Sequence, residues 1–150
     1  MYKNIMLAID GSEVSNCAIE EIIKLSKDQD INLRIIHVVD ESIYSSGFDF
    51  DYASLLKLAI EEGQDILDKA TKKIEAQSTI VVEKQLLELK QLRGRVAEII
   101  VKEAKKWPTD LLVVGTHGRR GFSRFFLGSV ADNIIRIATI PVLLIRGSAH

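Results

Sequence analysis

The stretch 110-DLLVVGTHGRRGFSRFFLGSVADNIIRIATIPVLLIR-146 decides how this chain folds. It opens with "DLLVVG" and closes with "PVLLIR", two apolar runs without polar interruption. Runs of that kind suit strands buried on both faces, as in a parallel sheet covered by helices, rather than strands with one wet face. Between them "SVADNIIRIA" (129–138) reads as an amphipathic helix. Strand, turn, helix and strand in succession make one βαβ unit, the building block of an α/β fold.

Working outward, the same alternation fills the chain. "NIMLAI" (4–9) reads as a first strand ending at the turn "DGS", and "SNCAIEEIIKLSK" brings Ala18, Ile22 and Leu25, flanked by Ile19 and Ile23, onto one helical face. "NLRIIHVV" (32–39) is a second strand. A polar and aromatic stretch from Glu41 to Ser54 follows, long for a simple connection and suited to a lid or an irregular surface loop. From Tyr52 to about Gln77, the spacing of Leu55, Leu58, Ala59, Ile66, Ala70 and Ile74 predicts a long helix carrying one glycine, Gly63. "TIVVEKQLLEL" (79–89) is a third strand, and "RVAEIIVKEAKKW" a helix that Pro108 ends.

These elements predict a single-domain α/β protein: a doubly wound, five-stranded parallel sheet with helices on both faces, for which right-handed crossovers leave a few strand orders, 3-2-1-4-5 among them. In that order the winding reverses between strands one and four, and ligands of doubly wound sheets bind where it reverses. The loops leaving those two strands begin at Asp10 and Gly115.

With 150 residues, 47% apolar and 27% charged, the chain is expected to form one soluble domain with its own core. Twenty Lys and Arg against 21 Asp and Glu leave a formal charge of -1, which argues against a broad nucleic-acid surface. No charged leader followed by an apolar segment opens the sequence, and no apolar run reaches membrane-spanning length, so the expected compartment is the cytoplasm, without a membrane partner. Cys17, the only cysteine, suits a small buried position on a helix.

The glycine stretch 115–132 matches neither G-x-x-x-x-G-K-[ST] nor G-x-G-x-x-G. It does place Gly115 at a strand end, Gly118 three residues on, and Gly128-Ser129 at a helix start, where backbone N–H groups and the helix dipole favour an anion. Arg119, Arg120 and Arg124 lie between, with guanidinium forks suited to phosphate. An alternative uses the same residues for structure alone: glycines in turns, solvated arginines, and Ser129 as a helix N-cap with Asp132 as its partner. Spacing alone leaves both open. His117 inside the loop suits a phosphate contact or a solvent-facing position, and His37 suits a hydrogen-bonded core histidine. The arginines lack an aromatic stacking platform for nucleic acid, since Phe122, Phe125 and Phe126 suit a core turn.

"AIDGSEVS", "IIHVVD" and "VVGTHGRRGFSRFFLGSVADNIIRIATIPVLLIR" together resemble the universal stress protein family, almost from end to end. In that family Gly, two residues, Gly, nine residues and Gly-Ser or Gly-Thr mark nucleotide-binding members. The pattern is complete here as Gly115, Gly118, Gly128 and Ser129. The resemblance implies a Rossmann-like fold of the adenine nucleotide alpha hydrolase type and ATP, carried with Mg2+, as ligand. It implies that Gly115, Gly118, Gly128, Ser129 and Val130 surround ribose and phosphates; Thr116, His117 and Arg119, on the same stretch, are expected to line the nucleotide site with them. Asp10 would line the same pocket and could hold Mg2+ through water. Ala8, Ile9 and Val38 would meet the adenine through main chain and apolar wall. It also implies a homodimer paired through the last strand, with Val142, Leu143, Leu144 and Ile145 at the interface. Three functions follow: a nucleotide-dependent stress-response regulator, a slow ATPase or phosphotransfer enzyme, and a dimeric interaction module with a vestigial pocket. The residues present a phosphate cradle without a recognisable nucleophile or catalytic triad, which places binding ahead of turnover.

Overall fold

Apolar side chains point to both faces of the sheet, and each face carries its own buried core. On one face Ile5, Leu7, Leu33, Ile35, Leu111 and Val113 form a single core with Ala18, Ile19, Ile22, Leu67, Ala70 and Ile74. On the other, Met6, Ile36, Leu87, Leu112 and Val114 pack against Ala97, Ile100, Val101, Ala104 and Ile134. The computed structural model describes residues 1–44, 51–90, 94–117 and 127–147. Gly118 and Arg119, together with Arg120, Arg124 and the three phenylalanines between 121 and 127, lie outside those described residues.

The elements run β1 (Asn4–Ala8), α1 (Glu13–Ser26), β2 (Asn32–Asp40), a 3-10 turn (Glu41–Tyr44), α2 (Tyr52–Gln77), β3 (Val82–Leu89), α3 (Val96–Lys106), β4 (Leu111–Gly115), α4 (Ser129–Ile137) and β5 (Val142–Ile145). The sheet has the order β3-β2-β1-β4-β5, and its four pairings are parallel. Helices α1 and α2 cover one face, α3 and α4 the other, as right-handed crossovers require when the winding reverses at β1. At the opposite end of the sheet Asp110 joins β1 to β4, its carboxylate accepting from the N–H of Asn4 at 2.8 Å and of Lys3 at 3.1 Å. Arg34 anchors α3 to the sheet: its guanidinium stacks 5.0 Å from the Trp107 ring centre and pairs with Glu83 at 2.7 Å. No helix among the described residues is long and apolar enough to cross a membrane.

Several local expectations need correction. Ser129 is the first residue of α4 rather than its cap; Gly128 occupies the cap position, extended at φ -62 and ψ 154, with no side-chain cap bond. Its expected partner Asp132 instead pairs with Arg136 at 3.2 Å, one turn on. Helix α1 starts two residues earlier than its apolar spacing suggests, because Ser12 caps it by accepting the Ser15 N–H at 3.2 Å. Strand β3 starts at Val82, not 79: Ser78 bonds back to the Ile74 carbonyl and takes the Ile80 N–H, which holds 78–80 in the turn. Cys17 is half-buried against the α1 and α2 core.

Candidate functional site

The carboxyl ends of β1, β2 and β4 open into one cleft of about 530 Å³ at the reversal of winding, within the range usual for small-molecule sites. Ala8, Ile9, Asp10, Val38, Gly115, Thr116, His117, Gly128, Ser129 and Val130 all line it. Ten of the twelve residues expected around a nucleotide therefore meet at one place, and the other two are Gly118 and Arg119.

The β1 side of the cleft is a closed hydrogen-bonded turn. Asp10 Oδ1 accepts the Ser12 N–H at 2.9 Å and the Ser15 hydroxyl at 2.8 Å. The Asp10 N–H in turn donates to Ser15 Oγ at 3.0 Å. Because Ser12 also caps α1, the aspartate is tied to the first turn of that helix.

Thr116 organises the β4 side. Its N–H donates to the Ile145 carbonyl at 2.9 Å, extending the β4–β5 ladder, and its own carbonyl accepts the Gly128 N–H at 2.7 Å. That second bond brings the two ends of the glycine stretch together, so α4 starts beside the exit of β4. Asp132 N makes the first intrahelical bond, to the Gly128 carbonyl at 2.9 Å. The N–H groups of Ser129, Val130 and Ala131, all lining residues, precede it and form the positive end of the helix.

Gly115 has a packing reason of its own. A Cβ there would lie 2.6 Å from Cγ1 of Val14 and 3.2 Å from the His117 carbonyl oxygen. The first turn of α1 thus lies directly against the exit of β4, and the two loops at the reversal touch through Val14.

His37 and His117 both line the cleft. His37 Nδ1 lies 2.8 Å from the Ile9 carbonyl, which can only accept, so the proton sits on Nδ1. His37 is hydrogen-bonded as the sequence suggests, and it also lines the cleft. His117 Nδ1 lies 3.0 Å from Thr116 Oγ1, while its Nε2 is buried without a hydrogen-bond partner among the described residues. A buried polar atom without a partner costs about 1–3 kcal/mol, and a bound anion or hydroxyl would relieve it.

The segment after β2 forms the rim. Asp40 Oδ1 accepts from the backbone N–H and hydroxyl of Ser42, which starts the 3-10 turn carrying Ile43 and Tyr44 into the cleft wall. Buried Glu41 receives Lys90 at 3.0 Å and the Tyr52 hydroxyl at 3.4 Å, joining the turn to β3 and α2. That bond to Glu41 raises the Lys90 ammonium above its usual pKa. Of the stretch 41–54 treated as a lid or loop, residues 45–50 lie outside the described ones.

Sequence reasoning missed Ser15, Asp40, Ala59 and Glu62 as lining residues. A serine five residues after Asp10 and three after a cap serine was a readable signal for Ser15. Ala59, on the apolar face of α2, and Glu62, three residues on, also line the cleft. No group of three or more His, Cys, Asp or Glu side chains among the described residues is placed to hold a metal ion.

A parallel sheet wound both ways from β1, with its cleft at the reversal, defines a doubly wound α/β protein. The profile of the universal stress protein family matches residues 1–146. The chain belongs to that family. It is 35% identical to the universal stress protein MJ0531 of Methanocaldococcus jannaschii over 147 residues, covering 97% of this chain and 83% of that one. The structure of the protein MJ0577 superposes with a TM-score of 0.84 at 26% identity, over 100% of this chain and 99% of the other. A family protein of Arabidopsis thaliana solved with AMP bound superposes at 0.71 and 21% identity, covering 98% and 93%. Further structures of this fold were solved with cAMP and with dAMP.

Proposed function

We propose that this chain binds an adenine nucleotide, ATP with Mg2+ first among them, and serves as a nucleotide-dependent regulatory protein of the stress response in the cytoplasm. The observation that carries the reading is the convergence of ten expected residues on one cleft at the winding reversal. In this reading Asp10 faces the ribose and phosphates. Gly115, Thr116, His117, Gly118, Arg119, Gly128, Ser129 and Val130 surround the phosphates, and Ala8, Ile9 and Val38 flank the base. The Nε2 of His117, without a partner among the described residues, and the N–H groups opening α4 suit an anionic ligand. Relatives of the same fold solved with AMP, dAMP or cAMP support the adenine class. A second copy pairing along β5, with Val142, Leu143, Leu144 and Ile145 at the contact, belongs to the same proposal. Strand β5 lies at the edge of the sheet, which favours strand-to-strand association.

Calorimetric titration with ATP and Mg2+, and separately with AMP, tests it. One nucleotide per chain is expected, with weaker binding for Asp10→Ala. Absence of binding at millimolar nucleotide refutes the reading. ATP recovered intact after hours with the protein fits binding without turnover, whereas steady ADP release abolished by Asp10→Ala would replace the regulator with an ATPase.

A further inference from the structure

We infer that Ser15 is a positioning residue of the nucleotide site: its hydroxyl fixes Asp10 in the orientation that meets the nucleotide. The inference rests on the proposed role of Asp10.

Ser15 lies in the first turn of α1 and is buried at 5% exposure, yet it borders the cleft. A serine hydroxyl has one proton and two lone pairs. Here the proton goes to Asp10 Oδ1 at 2.8 Å, and the oxygen accepts the Asp10 N–H at 3.0 Å and the Ser12 hydroxyl at 3.3 Å. Its capacity is therefore filled by protein groups, and it acts on a ligand through Asp10 rather than by contact. Two of these three bonds hold Asp10 itself, one at the backbone and one at the carboxylate.

The hydroxyl is dispensable for the helix. The cap of α1 is made by Ser12 Oγ and the backbone N–H of Ser15, and alanine keeps that N–H. Alanine at 15 leaves the helix start in place and removes two of the bonds that hold Asp10. The carboxylate then retains only the Ser12 N–H among these bonds to Oδ1 and gains freedom that must be lost again on binding.

The test is a double-mutant cycle on the full chain, read by calorimetry with ATP and Mg2+. Ser15→Ala is expected to weaken binding about tenfold, the scale of one hydrogen bond to a charged group, and Asp10→Ala at least as much. Because Ser15 acts through Asp10, the double variant binds within about twofold of Asp10→Ala alone. Far-UV circular dichroism checks that each variant is folded. Should Ser15→Ala not fold, Ser15→Cys carries the same cycle with nearly the same volume and a weak donor. Wild-type affinity in the folded Ser15 variant, or losses that multiply in the double variant, overturns the inference while leaving nucleotide binding in place. A wild-type chain that binds no nucleotide overturns the proposed function itself, and this inference with it.

Discussion

Substituting Gly115 by alanine separates two reasons for a glycine at the start of the signature. If the glycine serves only close approach of a phosphate, Gly115→Ala removes binding and leaves stability unchanged. The packing says otherwise: the new methyl would lie 2.6 Å from Cγ1 and 3.4 Å from Cβ of Val14, and 3.2 Å from the His117 carbonyl oxygen. Valine has a stiff χ1 and cannot easily swing its methyl away, and the carbonyl is backbone. Overpacking of this kind costs about 1–3 kcal/mol, against a gain of about 0.5–1 kcal/mol for replacing glycine in a strand. A net loss of about 1–2 kcal/mol without nucleotide is expected. With a urea dependence of about 1–3 kcal/mol per molar, the unfolding midpoint drops by roughly half a molar or more. In a Val14→Ala background the same substitution is expected to cost little. An unchanged midpoint for Gly115→Ala, or an equal loss in both backgrounds, refutes the packing argument.

Gly63→Ala makes a similar test on α2, since its Cβ would lie 2.7 Å from His37 Cδ2 and 2.7 Å from Leu86 Cδ1. Despite the helix propensity of alanine, a loss of about 1 kcal/mol in urea unfolding is expected, because His37 cannot retreat without giving up Ile9; a stabilised variant would refute it. Asp110 gives a pH signature: the N–H groups of Asn4 first, then Lys3, lower its carboxyl pKa. A lowered folded-state pKa stabilises above the unfolded-state value and loses that contribution as pH falls through the folded one. Asp110→Asn is therefore expected to lower the thermal midpoint at neutral pH, with the gap to wild type closing below about pH 4. A gap that widens in acid counts against it.

Much of this architecture is legible in the residues. The uninterrupted apolar runs of β1 and β4 reflect burial on both faces, whereas that of β5, at the sheet edge, leaves Val142, Leu143 and Leu144 half-buried; the spacing along α2 marks both ends, Tyr52 and Gln77. Alternation and handedness narrowed the strand order to a few, and in the observed one the exits of β1 and β4, at Asp10 and Gly115, lie side by side. What spacing could not supply was the outcome of local competition for backbone groups. Ser12 wins the first turn of α1, Gly128 takes the place expected for Ser129, and Ser78 delays β3. The 3-10 turn at 41–44 opens on two bonds that the Ser42 N–H and hydroxyl donate to Asp40 Oδ1, invisible to any periodicity. In the site, residues on strand ends were readable because a strand end is also a cleft edge. Ala59 and Glu62 were not, since the tilt of a helix over a sheet is settled by tertiary packing.

Adjacent residues in α1 divide the work of holding the cleft open to one geometry. Val14 fills the space left by the missing side chains of Gly115 and Gly147, the latter 3.2 Å from its Cγ2 when given a Cβ, while Ser15 turns back and grips Asp10. The distance between the aspartate and the exit of β4 is thus set by one helical turn rather than by either loop. Thr116 adds the third tie, since its N–H reads the end of β5 and its carbonyl receives Gly128. A ligand that contacts Asp10 and the start of α4 together therefore pulls on groups already joined to the edge strand. Thr116 and Val14 are in turn joined to Ile145 and Gly147, the one through a hydrogen bond and the other through a packed methyl, so the cleft and the edge strand share one packed unit.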